Sequence, residues 1–156
     1  MRERLKITSK DVFLSITSIG FDISGLELYL PILSGSKLII ADNEESRDPF
    51  KLIELVKQYK VTVLQATPTM WKMLLDAGWQ HDGSIKVLCG GESLSKDLAE
   101  RLLAKGYGFW HCYGPTETTI WSTVNYVDQV DDVKTWVPFG KPVWNTFITI
   151  LDTSKF

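Results

Sequence analysis

The segment Tyr113-Gly114-Pro115-Thr116-Glu117-Thr118-Thr119 gathers an aromatic ring, a Gly-Pro turn, three threonine hydroxyls and one carboxylate in a single short stretch. The ring can stack on a base. The Gly-Pro pair lets another surface approach the backbone closely. The hydroxyls can donate to a phosphate, and the carboxylate can hold Mg²⁺ beside it. The same string also reads as an ordinary turn with a capping threonine. Other groups of this kind recur along the chain. Phe21-Asp22-Ile23-Ser24-Gly25-Leu26-Glu27 offers a carboxylate that could pair with an amine or cap a helix. Gln65-Ala66-Thr67 offers an amide and a hydroxyl, and Gly90-Gly91-Glu92 offers paired glycines against which a planar ligand can lie.

Each group follows an apolar run, and those runs alternate with helical patterns. Strands are predicted over 11–17, 37–41, 61–65, 85–89 and 108–113, short and apolar. Helices are predicted over 23–33, 48–59, 68–77 and 95–105. Asp48-Pro49 and Thr67-Pro68 each put a capping side chain before a proline suited to the first helical position, and Ser95 caps the last helix. Gly35, Gly78 and Gly106 supply stops. Further strands are expected over 120–127 and 144–151, with an exposed loop over 129–135. Strands separated by helices of this length imply βαβ crossovers, hence an α/β fold with a mainly parallel, doubly wound sheet. Ligands of such sheets bind beyond the carboxyl ends of the strands, where all four groups fall. Together they make one composite site.

Composition narrows the function. The chain has 156 residues, enough for one domain with a real core, with 44% hydrophobic and 23% charged residues. Its net charge of −2 gives no footprint for nucleic acid or an anionic membrane. No apolar stretch reaches the ~20 residues that span a bilayer, and the N-terminus lacks an apolar signal segment, so the cytoplasm is expected. Cys89 and Cys112 each end an apolar run and read as buried thiols. With His81 and His111 they lack the spacing of a zinc site. No GxxxxGK[ST] or GxGxxG phosphate loop is present.

In combination and order, Phe21-Asp-Ile-Ser-Gly-Leu-Glu-Leu-Tyr-Leu-Pro31, Gly90-Gly-Glu-Ser-Leu94 and Tyr113-Gly-Pro-Thr-Glu117 resemble the adenylate-forming enzymes. The likeness is closest to the amino-acid adenylation domains of nonribosomal peptide synthetases, and it covers essentially the whole chain. It implies that residues 1–156 form a single substrate- and adenine-binding subdomain of a larger domain. That domain would activate an amino acid with Mg-ATP as aminoacyl-adenylate, release pyrophosphate, and load a phosphopantetheinyl carrier protein within the rest of the synthetase. The resemblance implies that Asp22 pairs with the substrate ammonium and that Tyr113 stacks on adenine, with Gly91, Glu92 and Gly114 around the nucleotide. Thr116 would lie by the α-phosphate, and Glu117 would ligate Mg²⁺.

A side-chain pocket of Ile23, Leu26, Gln65, Leu88, Gly90, Cys112, Ile120 and Trp121 is implied in the same way. Read as volumes it is already filled, with room for glycine or at most alanine. Without the flanking motifs, the same eight residues are ordinary core. The family's phosphate loop, ribose-binding aspartate, hinge and small C-terminal domain with its lysine have no counterpart in these residues, so the chain alone is expected to turn over ATP negligibly. Two other readings stand beside this one. An aryl- or acyl-CoA ligase core would share the fold, but has no amine for Asp22 to meet. A noncatalytic module could hold a nucleotide or small amino acid.

Overall fold

The computed structural model describes residues 1–104, 106–130 and 137–152. The expected end of the last helix at Lys105, and most of the expected loop over 129–135, lie outside them. Seven strands form one sheet: β1 (Val12–Ser15), β2 (Lys37–Ile40), β3 (Val63–Ala66), β4 (Lys86–Gly90), β5 (Phe109–Tyr113), β6 (Thr123–Val127) and β7 (Lys141–Pro142). Their order across the sheet is β2-β1-β3-β4-β5-β6-β7. The first five are mutually parallel, and β6 and β7 add antiparallel pairs at one edge. The crossovers are α1 (Ser24–Ser34), α2 (Pro49–Tyr59), α3 (Pro68–Asp76) and α4 (Lys96–Leu103).

Local chemistry sets the helix starts. Asp48 accepts from the backbone N–H groups of Phe50 and Lys51, Thr67 from Met70, and Ser95 from Leu98. Each satisfies donors that a first turn leaves unpaired. Gly35 and Gly78 close α1 and α3 with positive φ of 66° and 88°.

Period-two alternation along the strands divides the core into two layers. Leu14, Leu64, Val87 and Cys89 face one side, where they meet Leu52 and Val56 of α2, Trp71 and Leu74 of α3, and Leu98 and Leu102 of α4. Phe13, Val63 and Leu88 face the other, with Leu26 and Leu30 of α1. Helices thus cover both faces of the sheet. Where the order reverses, between β1 and β3, the carboxyl ends of the two strands leave a crevice.

The expected strand over 144–151 does not form. The last pairing is Thr123 with Pro142 and Val124 with Lys141, after which Trp144 and Asn145 turn away, Asn145 at φ 61°. The apolar alternation is real, but Phe147 and Ile150 are each 95% exposed. Among the described residues, no neighbouring strand offers 144–151 a ladder, and a strand without one leaves its backbone groups unpaired. No helix among the described residues is long and apolar enough to cross a membrane.

At the opposite, amino edge, Asp11 ties three strands together. Its Oδ1 takes the Lys86 ammonium at 2.6 Å and the Thr62 hydroxyl at 2.8 Å, and its Oδ2 takes the Thr8 N–H at 2.8 Å. Burial alone would raise the Asp11 pKa, but Lys86, the Thr8 N–H and the Thr62 hydroxyl together outweigh it and lower the pKa. A depressed carboxylate contributes stability that is full above its unfolded value, ~3.9, and is lost as pH falls through the folded value. Asp11→Asn is therefore expected to cost about 1.5–3 kcal/mol at neutral pH. The deficit should shrink progressively as pH falls below about 4, where the unfolded carboxyl takes up its proton, and vanish once pH passes below the folded value. Urea unfolding of both proteins at pH 7 and pH 3 checks this; a deficit independent of pH would show that the charge contributes nothing.

Candidate functional site

A cavity of about 400 Å³ opens at the carboxyl edge, at the switch point. Ile16 and Thr17 line it beyond β1, with Phe21, Asp22 and Ile23 leading into α1. Ala66 and Thr67 come from the end of β3, Gly91 and Glu92 from beyond β4, and Gly114 and Thr116 from beyond β5. All four groups singled out by spacing thus converge on one crevice, brought there by parallel strands of matched register.

Asp22 is the notable member. Its Oδ2 is buried and has no hydrogen-bond partner. It does not cap α1 either: the capping position belongs to Ile23, and no side chain bonds the first turn. A buried polar oxygen left unpaired carries a cost of about 1–3 kcal/mol, more for a charged group. An ammonium placed there would satisfy it.

The eight pocket residues also assemble. Leu26, Leu88, Cys112 and Trp121 belong to one buried cluster, with Ile23 and Ile120 packed against it. Gln65 joins through two bonds, its Nε2 donating to the Ile23 carbonyl and its Oε1 accepting from Trp121 Nε1–H, both 2.9 Å. Gly90 is required by the indole: a Cβ there would meet Trp121 Cη2 at 2.7 Å and the Cys112 carbonyl at 2.4 Å. Of these eight only Ile23 reaches the crevice itself. The other seven lie behind it, which fits a pocket closed by its own side chains.

The residues expected beside a nucleotide divide. Gly91, at φ 87°, lies by Ile23 and Thr67 with nothing closer than 3.6 Å to its missing side chain. It presents bare backbone to the cavity. Glu92 is already engaged, its Oε2 taking the Thr69 N–H at 3.1 Å and hydroxyl at 2.6 Å, which anchors the first turn of α3. Tyr113 is 40% exposed and stacks on Phe139 at 4.1 Å between centroids. Glu117 sits in a 3₁₀ turn, Thr116–Thr118, and is exposed. Tyr113 and Glu117 lie outside the cavity lining, on the turn that borders it.

Gly114 departs from expectation. The surface that approaches it is the chain itself: a Cβ there would lie 2.0 Å from the Ile120 carbonyl oxygen and 2.9 Å from the Ser122 N. That close return, held by the Ser122 N–H to the Tyr113 carbonyl at 2.8 Å, shapes the turn. Thr119 and Ile120 pay for it with φ of 61° and 67°. Positive φ is rare for β-branched residues and costs on the order of 1–3 kcal/mol each. For this reason the expected strand over 120–127 begins only at Thr123. The strained turn is what delivers Ile120 and Trp121 to the buried cluster of Leu26, Leu88 and Cys112.

Sequence reasoning missed Glu27. It is 1% exposed and accepts five hydrogen bonds from Ser15, Ile16, Thr17 and Gln65. In sequence it is merely an acid in a first helical turn. The thiols are inert: burial pushes Cys112 up to about 12 and raises Cys89 further. Among the described residues no group of three or more His, Cys, Asp or Glu stands where it could hold a metal ion.

The AMP-binding enzyme family matches residues 1–155. The chain is 38% identical over 152 residues to the dimodular nonribosomal peptide synthase of Bacillus subtilis (strain 168), covering 97% of this chain and 6% of that protein. It is 38% identical over 143 residues to the PKS-NRPS hybrid synthetase acdB of Aspergillus candidus, covering 91% and 6%. Among solved structures it resembles AB3403, a four-domain nonribosomal peptide synthetase bound to AMP and glycine. There the TM-score is 0.82 and the identity 41%, over 92% of this chain and 11% of that one. The synthetase FmoA3, in a form bound to AMPPNP, gives a TM-score of 0.83 at 27% identity over 92% and 16%. The chain therefore spans a small fraction of the proteins it matches.

Proposed function

The chain belongs to the AMP-binding enzyme family, and from that premise we propose that it is the substrate-selecting, adenine-binding subdomain of a nonribosomal peptide synthetase adenylation domain. In the complete domain the carboxylate of a small amino acid, glycine above all, attacks the α-phosphate of ATP. Aminoacyl-adenylate forms and pyrophosphate leaves. The acyl group then passes to the phosphopantetheine thiol of a carrier protein in the rest of the synthetase, the thiol losing its proton and AMP leaving. Its demand for ATP fits the cytoplasm.

The observation that carries this reading is the buried, unpartnered Oδ2 of Asp22 beside a cavity of about 400 Å³. An acid lacking an amine would leave that oxygen unpaired, which argues against an aryl- or acyl-CoA ligase. Asp22 holds the ammonium. Gly91 and Gly114 flank the nucleotide, Tyr113 takes the base, and Thr116 donates to the α-phosphate. Glu117 is exposed and would hold Mg²⁺ through its carboxylate. When bound, Mg²⁺ would supply neutralisation of the charge developing on the phosphate. Glycine is favoured by the bulk of Leu26, Leu88, Ile120 and Trp121, and by the likeness to a synthetase bound to AMP and glycine.

The test is ATP–pyrophosphate exchange by the complete domain over a panel of amino acids. Exchange is expected to be greatest with glycine. Exchange indifferent to the amino acid, or driven by acids without an amine, would overturn the proposal.

A further inference from the structure

We propose that Glu27 is a specificity-determining positioning residue: through Gln65 it fixes the Trp121 indole that closes the side-chain pocket. The inference rests on the reading of that pocket given above. Glu27 does not line the cavity. Its Oε2 accepts from the Ser15 hydroxyl at 2.9 Å, the Ile16 N–H at 2.9 Å and the Thr17 N–H at 3.0 Å. Its Oε1 accepts from the Thr17 hydroxyl at 2.5 Å. These four donors fasten α1 to the end of β1. The fifth comes from another strand: Gln65 Nε2, in β3, reaches Oε1 at 2.9 Å.

That fifth bond decides which way the Gln65 amide points. Its nitrogen has two N–H groups, one for Glu27 and one for the Ile23 carbonyl at 2.9 Å. Its oxygen is then left facing Trp121 Nε1–H, which donates to it at 2.9 Å. A flipped amide would set its oxygen against a carboxylate and a carbonyl, and its NH₂ against the indole N–H. Every one of those contacts is repulsive. The negative charge of Glu27 therefore makes the orientation one-sided. The indole in turn is held at two places, its ring against Gly90 and its N–H by Gln65. An indole held at its benzo end and at its N–H cannot tilt freely. Its tilt sets how much space is left for a substrate side chain.

Glu27→Gln is nearly isosteric and weakens the one-sidedness, because a glutamine can donate to a flipped Gln65. Gln65→Met removes the indole's acceptor while keeping bulk. The experiment uses complete adenylation domains carrying each change, labelled with ¹⁵N-tryptophan. It reads kcat/KM for glycine and alanine by pyrophosphate exchange, KM for ATP, and the Trp121 indole N–H resonance, assigned with Trp121→Phe. Both variants are expected to lower the glycine-over-alanine ratio by about tenfold, the scale of one methylene. They should leave the KM for ATP unchanged and move the indole resonance upfield. A parallel fall for both amino acids, with the ratio kept, would overturn the proposal and make Glu27 a fold residue only. If Glu27→Gln does not fold, a ratio retained by Gln65→Met overturns it equally. If the unmutated domain prefers a large amino acid, the glycine reading fails first. The indole resonance then judges this proposal alone, and one unmoved by Glu27→Gln sinks it.

Discussion

Asp22→Ala in a complete adenylation domain is expected to abolish amino-acid activation while ATP binding stays close to wild type. The substrate ammonium would enter the crevice without a counter-charge. Removing one partner of a buried ion pair costs about 3–5 kcal/mol, which corresponds to a fall in kcat/KM for glycine of about 10²–10³-fold or more. The nucleotide side is built from other segments, Gly91 beyond β4 and the turn beyond β5, so it should not sense the change. The folded state should hardly suffer. The carboxylate caps no helix, and one of its oxygens is already unpartnered, so its loss relieves a desolvation penalty. Pyrophosphate exchange with glycine, beside equilibrium titration with a nonhydrolysable ATP analogue, separates the two effects. A mutant that keeps wild-type kcat/KM would reduce Asp22 to a residue of the turn before α1.

The position of Asp22 was legible before the fold was known, and its unpaired oxygen was not. An acid just past an apolar strand and just ahead of a helical pattern has two local roles, cap or pocket carboxylate, and only the three-dimensional arrangement distinguishes them. The crossovers were legible for a simpler reason. Asp48, Thr67 and Ser95 cap helices by bonds to residues two or three positions away, so their sequence neighbourhood contains the whole interaction. The parallel sheet followed from alternation alone. What stayed hidden depends on contacts distant in sequence. Glu27 is buried because Ser15–Thr17 and Gln65 arrive with donors, and nothing beside it in the chain announces them. Gly114 is bare because the chain returns on it six residues later. Residues 144–151 have strand periodicity, but periodicity describes a face and not a partner, and the ladder stops at Lys141–Pro142. The site's chemistry could be read from residue types, whereas its tension could not. The left-handed φ of Thr119 and Ile120 is imposed by the turn between Gly114 and Ser122.

Trp121→Ala should convert a domain that selects glycine into one that accepts large apolar amino acids. The indole is buried at 4% exposure, lies against Gly90, and shares a cluster with Leu26, Leu88 and Cys112. Its removal empties the volume of an indole at the point where a substrate side chain would extend from Asp22. The unmutated domain has two kinds of discrimination to show. Alanine adds one methyl group, and a methylene-sized difference in an apolar pocket is worth only ~1–3 kcal/mol, so the preference for glycine over alanine should be modest. Phenylalanine must overlap the indole, and steric overlap has no such ceiling, so its exclusion should be near-absolute. In the variant, exchange with leucine or phenylalanine should rise by about two orders of magnitude or more, and glycine should lose ground because it leaves the cavity unfilled. Truncating a buried tryptophan also costs about 3–5 kcal/mol of stability. Trp121→Phe therefore provides an intermediate step, smaller in volume and without the N–H that Gln65 accepts. The expected order of tolerated substrate size is wild type, Phe variant, Ala variant. An unmutated domain that favours a large or charged amino acid would defeat the pocket assignment while leaving the family membership intact, because the family match spans residues 1–155 and does not turn on the substrate selected.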